Sequence, residues 1–316
     1  MPRQIVIGIL LTFGLAGYFS SEPGARPVAV EELRMASAKA VKSMQNSQKT
    51  WFEKQTCSSC HHQLLPEISF KFARERTIPI DETIARKHTA ASFEYLKDLD
   101  SAVQGDFYID VFYDALYLVG ADAAGIKPNL SLAASAQFIA SRQMPDGSWP
   151  TFDIRPPQAQ SFFTATAVSA QAVRLYLPEQ LKVERNSRLA RARDWLLRSQ
   201  PRTTEDRAFQ LFGLSWTGAS ESARKKLAEK LMSEQREDGG WSQLPALPSD
   251  AYSTGEVLSA LHQAAAVAVD SRAYQRGLSF LLKTQQPDGS WHVKSRLHPP
   301  APVSPTYFNS DFPYGK

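Results

Sequence analysis

Both cysteines of this 316-residue chain fall in one short stretch, TCSSCHHQLLP, as Cys57 and Cys60, with His61 directly after the second. On a short helical turn a three-residue spacing puts both thiols on one side. They can then form thioethers with the two vinyl groups of a haem while His61 reaches the iron. The same donors suit other chemistry. A zinc ion accepts two thiolates and an imidazole but needs a fourth ligand, and the adjacent His62 is sterically awkward on the same metal. A C-x-x-C disulfide, structural or redox-active, closes a very short loop and is permitted outside the cytoplasm. Covalent haem c is the leading expectation, with Cys57 and Cys60 as attachment points and His61 as proximal ligand; zinc is the alternative cofactor. Met35, Met44, His88, Met144 and His292 are open as distal ligands, and so is a five-coordinate iron.

Two further sets of residues have types suited to chemistry. Phe107, Tyr108, Phe112, Tyr113, Phe162, Phe163, Phe209 and Tyr252 recur at helical spacing. Such rings can stabilise a cation, but they more often pack a core, and packing is the expectation here. Asp106, Asp110 and Asp114 recur every four residues and share one helical face. They suit a bound cation, or simply the start of a solvated helix, which is the expected reading.

The elements that must position these residues show themselves as a repeat. Gln143 and Trp149 enclose QMPDGSW, Gln235 and Trp241 enclose QREDGGW, and Gln285 and Trp291 enclose QQPDGSW, each Gln preceding its Trp by six positions. A partial copy, Arg191, Ala192, Trp195, Leu196 and Gln200, then loses the Gly and Trp. Gln45 and Trp51 keep the spacing but have Lys49 where the glycine belongs. A helix carrying the Gln in its last turn must stop where Asp-Gly reverses the chain. The Trp can then lie over the helix end while the Gln amide bonds free backbone groups and couples one helix to the next repeat. The pattern predicts outer helices at about 128–142, 187–200, 221–235 and 271–285. Inner helices are expected at about 107–120, 160–177, 204–217 and 249–267, with more near 28–46 and 82–98. Strand signals are nearly absent.

This Gln-to-Trp unit resembles the QW motif of the squalene-hopene and oxidosqualene cyclases, over roughly residues 105 to 316. The resemblance implies an all-α toroid of helical hairpins, shared with the protein prenyltransferases. In that superfamily, class II cyclases protonate substrate with an Asp-x-Asp-Asp-Thr-Ala motif. The nearest stretch here is SFFTATA, where Ser161, Phe162 and Phe163 stand in place of the acids before Thr164 and Ala165. The zinc set of the prenyltransferases needs a cysteine in the repeats, and there is none. Likewise, Cys57, Cys60 and His61 resemble the attachment motif of c-type cytochromes, which implies haem loading outside the cytoplasm.

Arg3 followed by the apolar run Ile5 to Phe19 reads as an export signal, with an uncleaved anchor as the alternative. The expected organisation is a signal at 1–21, a helical segment with the C-x-x-C-H motif at 22–100, and the toroid at 101–316. A net charge of +4 without a dense basic tract argues against nucleic acid as a partner, and the membrane enters only through the signal or anchor. The leading functional expectation is an exported haem-c protein with a redox partner. Beside it stand an isoprenoid-binding or cyclase-like protein and a non-catalytic scaffold with a zinc or disulfide site. After Trp291 the sequence runs through Pro299, Pro300, Pro302 and Pro305, so the ring is expected to be incompletely closed, leaving apolar surface beside the helix at 271–285.

Overall fold

A computed structural model describes residues 27–54, 64–104, 110–152, 156, 160–265, 267–294 and 296. The expected signal, Cys57, Cys60, His61, Asp106, Phe107 and Tyr108 lie outside the described residues.

The helices are α1 (Val30–Lys54), α2 (Leu65–Glu75), α3 (Glu82–Ser92), α4 (Leu99–Gln104), α5 (Val111–Ala123) and α6 (Leu130–Ser141). They continue as α7 (Phe162–Tyr176), α8 (Lys182–Arg198), α9 (Thr204–Trp216), α10 (Glu221–Ser233), α11 (Ala251–Ala265) and α12 (Arg272–Thr284). Among the described residues the one β-type pairing is an isolated bridge between Trp241 and Asp250. No helix there is long and apolar enough to cross a membrane. The periodicity places α5 to α12 within a few residues of their ends. The stretch expected as one helix over 82–98 stops at Phe93, and a short 3-10 turn, Glu94–Lys97, follows.

Start signals are local. Asp81, Asp110, Asn129, Ser161 and Ser220 each accept a hydrogen bond from first-turn amides, and Thr203 and Asp206 form a reciprocal capping box. Inner and outer helices then sort by composition. Along α7, Ala165, Ala167, Ala170 and Ala172 are fully buried, so its neighbours approach closely on both sides. By contrast α8 buries only Ala192, Trp195 and Leu196 and turns its charged residues outward. The inner helices pack in the sequence α2, α5, α7, α9, α11, and α6, α8, α10 and α12 lie outside.

The QW turns connect these layers with the same bonds in all three copies. The Trp149, Trp241 and Trp291 indoles donate to the carbonyls of Ile139 (2.6 Å), Leu231 (2.8 Å) and Leu281 (2.8 Å) in the last turn of the preceding outer helix. Gly147, Gly239 and Gly289 have φ of 98°, 89° and 88°, and a Cβ on them would strike the backbone of Arg191, Arg276 and Lys39. The Gln143, Gln235 and Gln285 amides bridge to the next outer helix, donating to Arg188, Ala273 and Ala36 carbonyls at 3.0, 2.7 and 2.9 Å. In each case the Gln partner lies three residues before the residue facing the glycine. The third turn therefore meets α1 as the first meets α8 and the second meets α12. The two ends of the repeat array are joined through α1.

Two departures are informative. The partial copy has no Trp to meet Leu196. Instead the Gln210 amide of α9 donates to that carbonyl at 2.6 Å. Gln45 and Trp51 form no turn: both are buried inside α1, where the Gln45 amide clamps Asp81 at the start of α3 (2.9 and 3.0 Å). With Lys49 in the glycine position, nothing stops the helix.

Candidate functional site

Inner helices α7, α9 and α11 begin at the same end of the toroid, and there the acids gather. Glu205, in the first turn of α9, is placed where a helix dipole favours negative charge, yet it is only 3% exposed. One carboxylate oxygen accepts from the Thr164 hydroxyl of α7 at 2.7 Å, the other from the Tyr252 hydroxyl of α11 at 2.7 Å. One turn beyond Tyr252 on the same helix face stands Glu256, within hydrogen-bonding reach of Tyr252 and Glu205. Glu256 is half-buried as a residue, but its Oε2 is shielded from solvent and has no hydrogen-bond partner among the described residues.

Burial dominates the electrostatics. Loss of water pushes the Glu205 carboxyl up to about 7, against the lowering pull of the Thr164 and Tyr252 hydroxyls. Burial, then the nearby Glu205 charge, raises Glu256 well above the ordinary carboxylate range. Two carboxyls this close do not both ionise readily, so the pair retains a proton near neutral pH. Arg296 lies close enough to pull Glu205 downward, while its own Nε donates to Gln243 at 2.7 Å. Asp206 beside the pair is a structural acid: it accepts from Ser161 (2.6 Å) and from the Arg202 and Thr203 amides.

The SFFTATA stretch is therefore not without an acid, as its sequence suggests. Thr164 and Ser161 receive Glu205 and Asp206 from the neighbouring inner helix rather than from their own strand of sequence. Of the aspartate ladder, Asp110 caps α5 and also accepts from Thr151 (2.7 Å) and the Phe152 amide (2.8 Å). Asp114 is 2% exposed, so this face is not the solvated one expected. Among the described residues no group of three or more His, Cys, Asp or Glu has the arrangement of a metal site.

The aromatic set divides. Phe112 is core, Phe163 packs on Trp195 at 4.9 Å, Phe209 joins the core clusters, and Phe162 points outward. Tyr252 alone of the described aromatic set is bonded to the acid pair. Of the distal-ligand candidates, Met35, Met144 and His292 are exposed and Met44 is half-buried. His88 is buried on α3 and stacked on Phe52 of α1 at 4.3 Å, and its Nδ1 is without a hydrogen-bond partner. A separate cavity of about 760 Å³ lies between α2, α3 and the turn after α5. Several of its charges are already paired, Arg74 with Glu82 and Lys71 with Asp122, so it presents no comparable reactive group.

No family model matches the chain. Drimenyl diphosphate synthase of Streptomyces showdoensis is 28% identical over 191 residues, 57% of this chain and 36% of that protein. The synthase of the same name from Streptantibioticus cattleyicolor is 29% identical over 192 residues, 55% of this chain and 34% of that protein. The chain thus spans about a third of the length of these curated relatives. A variant of the type II terpene cyclase MstE from Scytonema, solved in complex with its product merosterolic acid A, shares 17% identity. It superposes with a TM-score of 0.56 over 84% of this chain and 85% of that one. The architecture is accordingly a terpene-cyclase-like all-α toroid.

Proposed function

We propose that the toroid binds an isoprenoid-like apolar molecule against the Glu205, Tyr252 and Glu256 cluster, with the proton held by the two glutamates serving as its acid. The observation that carries this reading is the pair itself. Two carboxyls from adjacent inner helices are withdrawn from water, and the Glu256 Oε2 has no protein partner. A neutral carboxyl in that setting hydrogen-bonds to, or protonates, a weakly basic group such as an alkene, epoxide or carbonyl. The likeness of the fold to a terpene cyclase and the names of the two curated relatives support the apolar substrate class. The test is binding of farnesol and farnesyl diphosphate, read by native mass spectrometry and tryptophan fluorescence, with products analysed by gas chromatography. Saturable binding that weakens at least tenfold in E256Q and E205Q is expected. Equal binding by the wild type and the double variant, with no product from either, would overturn the reading.

A second reading rests on the C-x-x-C-H spacing: Cys57 and Cys60 carry haem c, His61 is its proximal ligand, and an exported protein passes electrons to a redox partner. His88 fits a second axial ligand, since a buried imidazole nitrogen without a partner suits a metal better than a hydrophobic wall. Bound haem would supply one-electron redox chemistry. The test is expression in a host that attaches haem c, then pyridine haemochrome absorption after acid-acetone extraction. C57A or C60A should remove the covalent signal, and H61A should alter the spectrum. One zinc and no iron in the purified protein would exclude this reading.

A further inference from the structure

The QW turns differ in what lies behind them. The backbone N–H of Trp149 donates to Thr166 Oγ1 of α7 at 3.0 Å, and that of Trp241 to Thr254 Oγ1 of α11 at 3.0 Å. Each threonine belongs to the inner helix that follows its turn. Trp149 and Trp241 are correspondingly 0% and 1% exposed. Trp291 is half-buried, and among the described residues nothing accepts from its backbone N–H. Beside it runs an apolar groove of about 280 Å³ between α12, α1 and α2, lined by Leu278, Leu282, Ala40, Met44 and Phe72. Since α1 takes the next outer position, the groove occupies the place of a sixth inner helix, between α11 and α2.

We propose that residues 304–312 of this chain, SPTYFNSDF, occupy this groove as a short sixth inner helix. Three observations select that occupant. Arg296 donates to Gln243 in the loop ahead of α11, so the chain has returned to the end of the toroid where the inner helices begin. From there Ser304 is eight residues on, a reach of up to about 26–29 Å, ample to cross between adjacent helices. Ser304-Pro305 is a helix start, a capping serine followed by proline at the first helical position, as Ser161 caps α7. Counting from those caps, Thr166 is five residues past Ser161 and Asn309 is five past Ser304, so Asn309 Oδ1 falls where the Trp291 N–H lacks its acceptor. Tyr307, Phe308 and Phe312 supply the apolar face that the groove requires.

The experiment compares the full chain with a chain ending at Arg296, at several concentrations, with circular dichroism to confirm that both keep their helices. Hydrogen exchange of the full chain should show protection over 305–312 and at the Trp291 amide, independent of concentration. In the shortened chain the Trp291 protection is lost, and acrylamide quenching of tryptophan emission increases measurably. L282K, which places a charge in the groove, should release 305–312 in the full-length protein and so reports even where the shortened chain fails to fold. Unprotected 305–312 in the full chain overturns the proposal. So does groove protection that grows with concentration, which would assign the site to a second copy.

Discussion

The turns at Trp241 and Trp291 share their own hydrogen bonds almost atom for atom, yet one ring is sealed and the other half-open. Asp238 and Asp288 each accept from the residue after the glycine (2.9 and 3.0 Å), and both indoles cap a carbonyl ten residues back at 2.8 Å. What differs is the partner behind them: α11 covers Trp241 and offers Thr254, whereas Trp291 faces the groove. The QW unit thus makes its turn by itself, while the burial that stabilises it comes from the helix that follows.

That division predicts unequal losses from equal truncations. Replacing a fully buried Trp by Ala removes large apolar contact and leaves a cavity, so Trp149→Ala and Trp241→Ala should each cost roughly 3–5 kcal/mol in a denaturant titration. Trp291→Ala is expected to cost about half as much in a chain ending at Arg296, because the ring begins half exposed. Three equal losses would show that the turn, not its cover, sets the energy.

The same helix that covers Trp241 also carries Glu256, which works against it at high pH. Glutamates whose folded-state pKa is raised favour the fold below their unfolded value, 4.5 for Glu205, and that advantage disappears as pH rises through the folded value of about 7. Stability should therefore fall between about pH 5 and pH 8, by on the order of 2–3 kcal/mol. Glu256→Gln, neutral throughout, should flatten most of that slope in urea titrations across the range. A slope unchanged in this variant would mean that the two carboxyls do not share their proton in the fold.

At Gly289 the copies ought not to differ. Its φ of 88° and its closeness to the Lys39 backbone repeat the situation of Gly239 against Arg276. Gly289→Ala should cost about 1–3 kcal/mol through strain alone, similar to Gly239→Ala, and should loosen α1 first. Proteolysis within 27–54 at lower denaturant than elsewhere would report that loosening; uniform susceptibility would count against α1 as the closing helix.

Much of this was readable from the sequence because it is local. The Gln-to-Trp spacing, the Asp-Gly stops and the capping residues act within one or two turns, and they placed the outer and inner helices. The same spacing misled at Gln45 and Trp51, where no glycine breaks the helix and both residues bury inside it. The acid pair was not legible. Glu205 reads as an ordinary first-turn acid, and its partners Thr164 and Tyr252 lie 41 and 47 residues away on other helices. A usable signal did exist in Glu256, a single charge set between Thr254 and Val257 in an otherwise apolar and small inner helix. The C-x-x-C-H motif remains the converse case, plain in sequence and outside the described residues.

The smallest effect tests the comparison most directly. Thr166→Val and Thr254→Val keep the shape of the side chain while deleting the acceptor for the Trp149 and Trp241 amides, so packing over the rings is preserved. What is left is a buried N–H without a partner, worth about 1–2 kcal/mol, to which the loss of the Thr254 bond to the Asp250 carbonyl at 2.7 Å adds in the second variant. Hydrogen exchange at the Trp amide separates the two contributions. In Thr254→Val the Trp241 amide should exchange nearly as fast as the Trp291 amide does in the chain ending at Arg296, although the Trp241 ring remains unquenched by acrylamide. If that amide stays protected in the variant, burial alone shields it, and the absent threonine is not what sets the third turn apart.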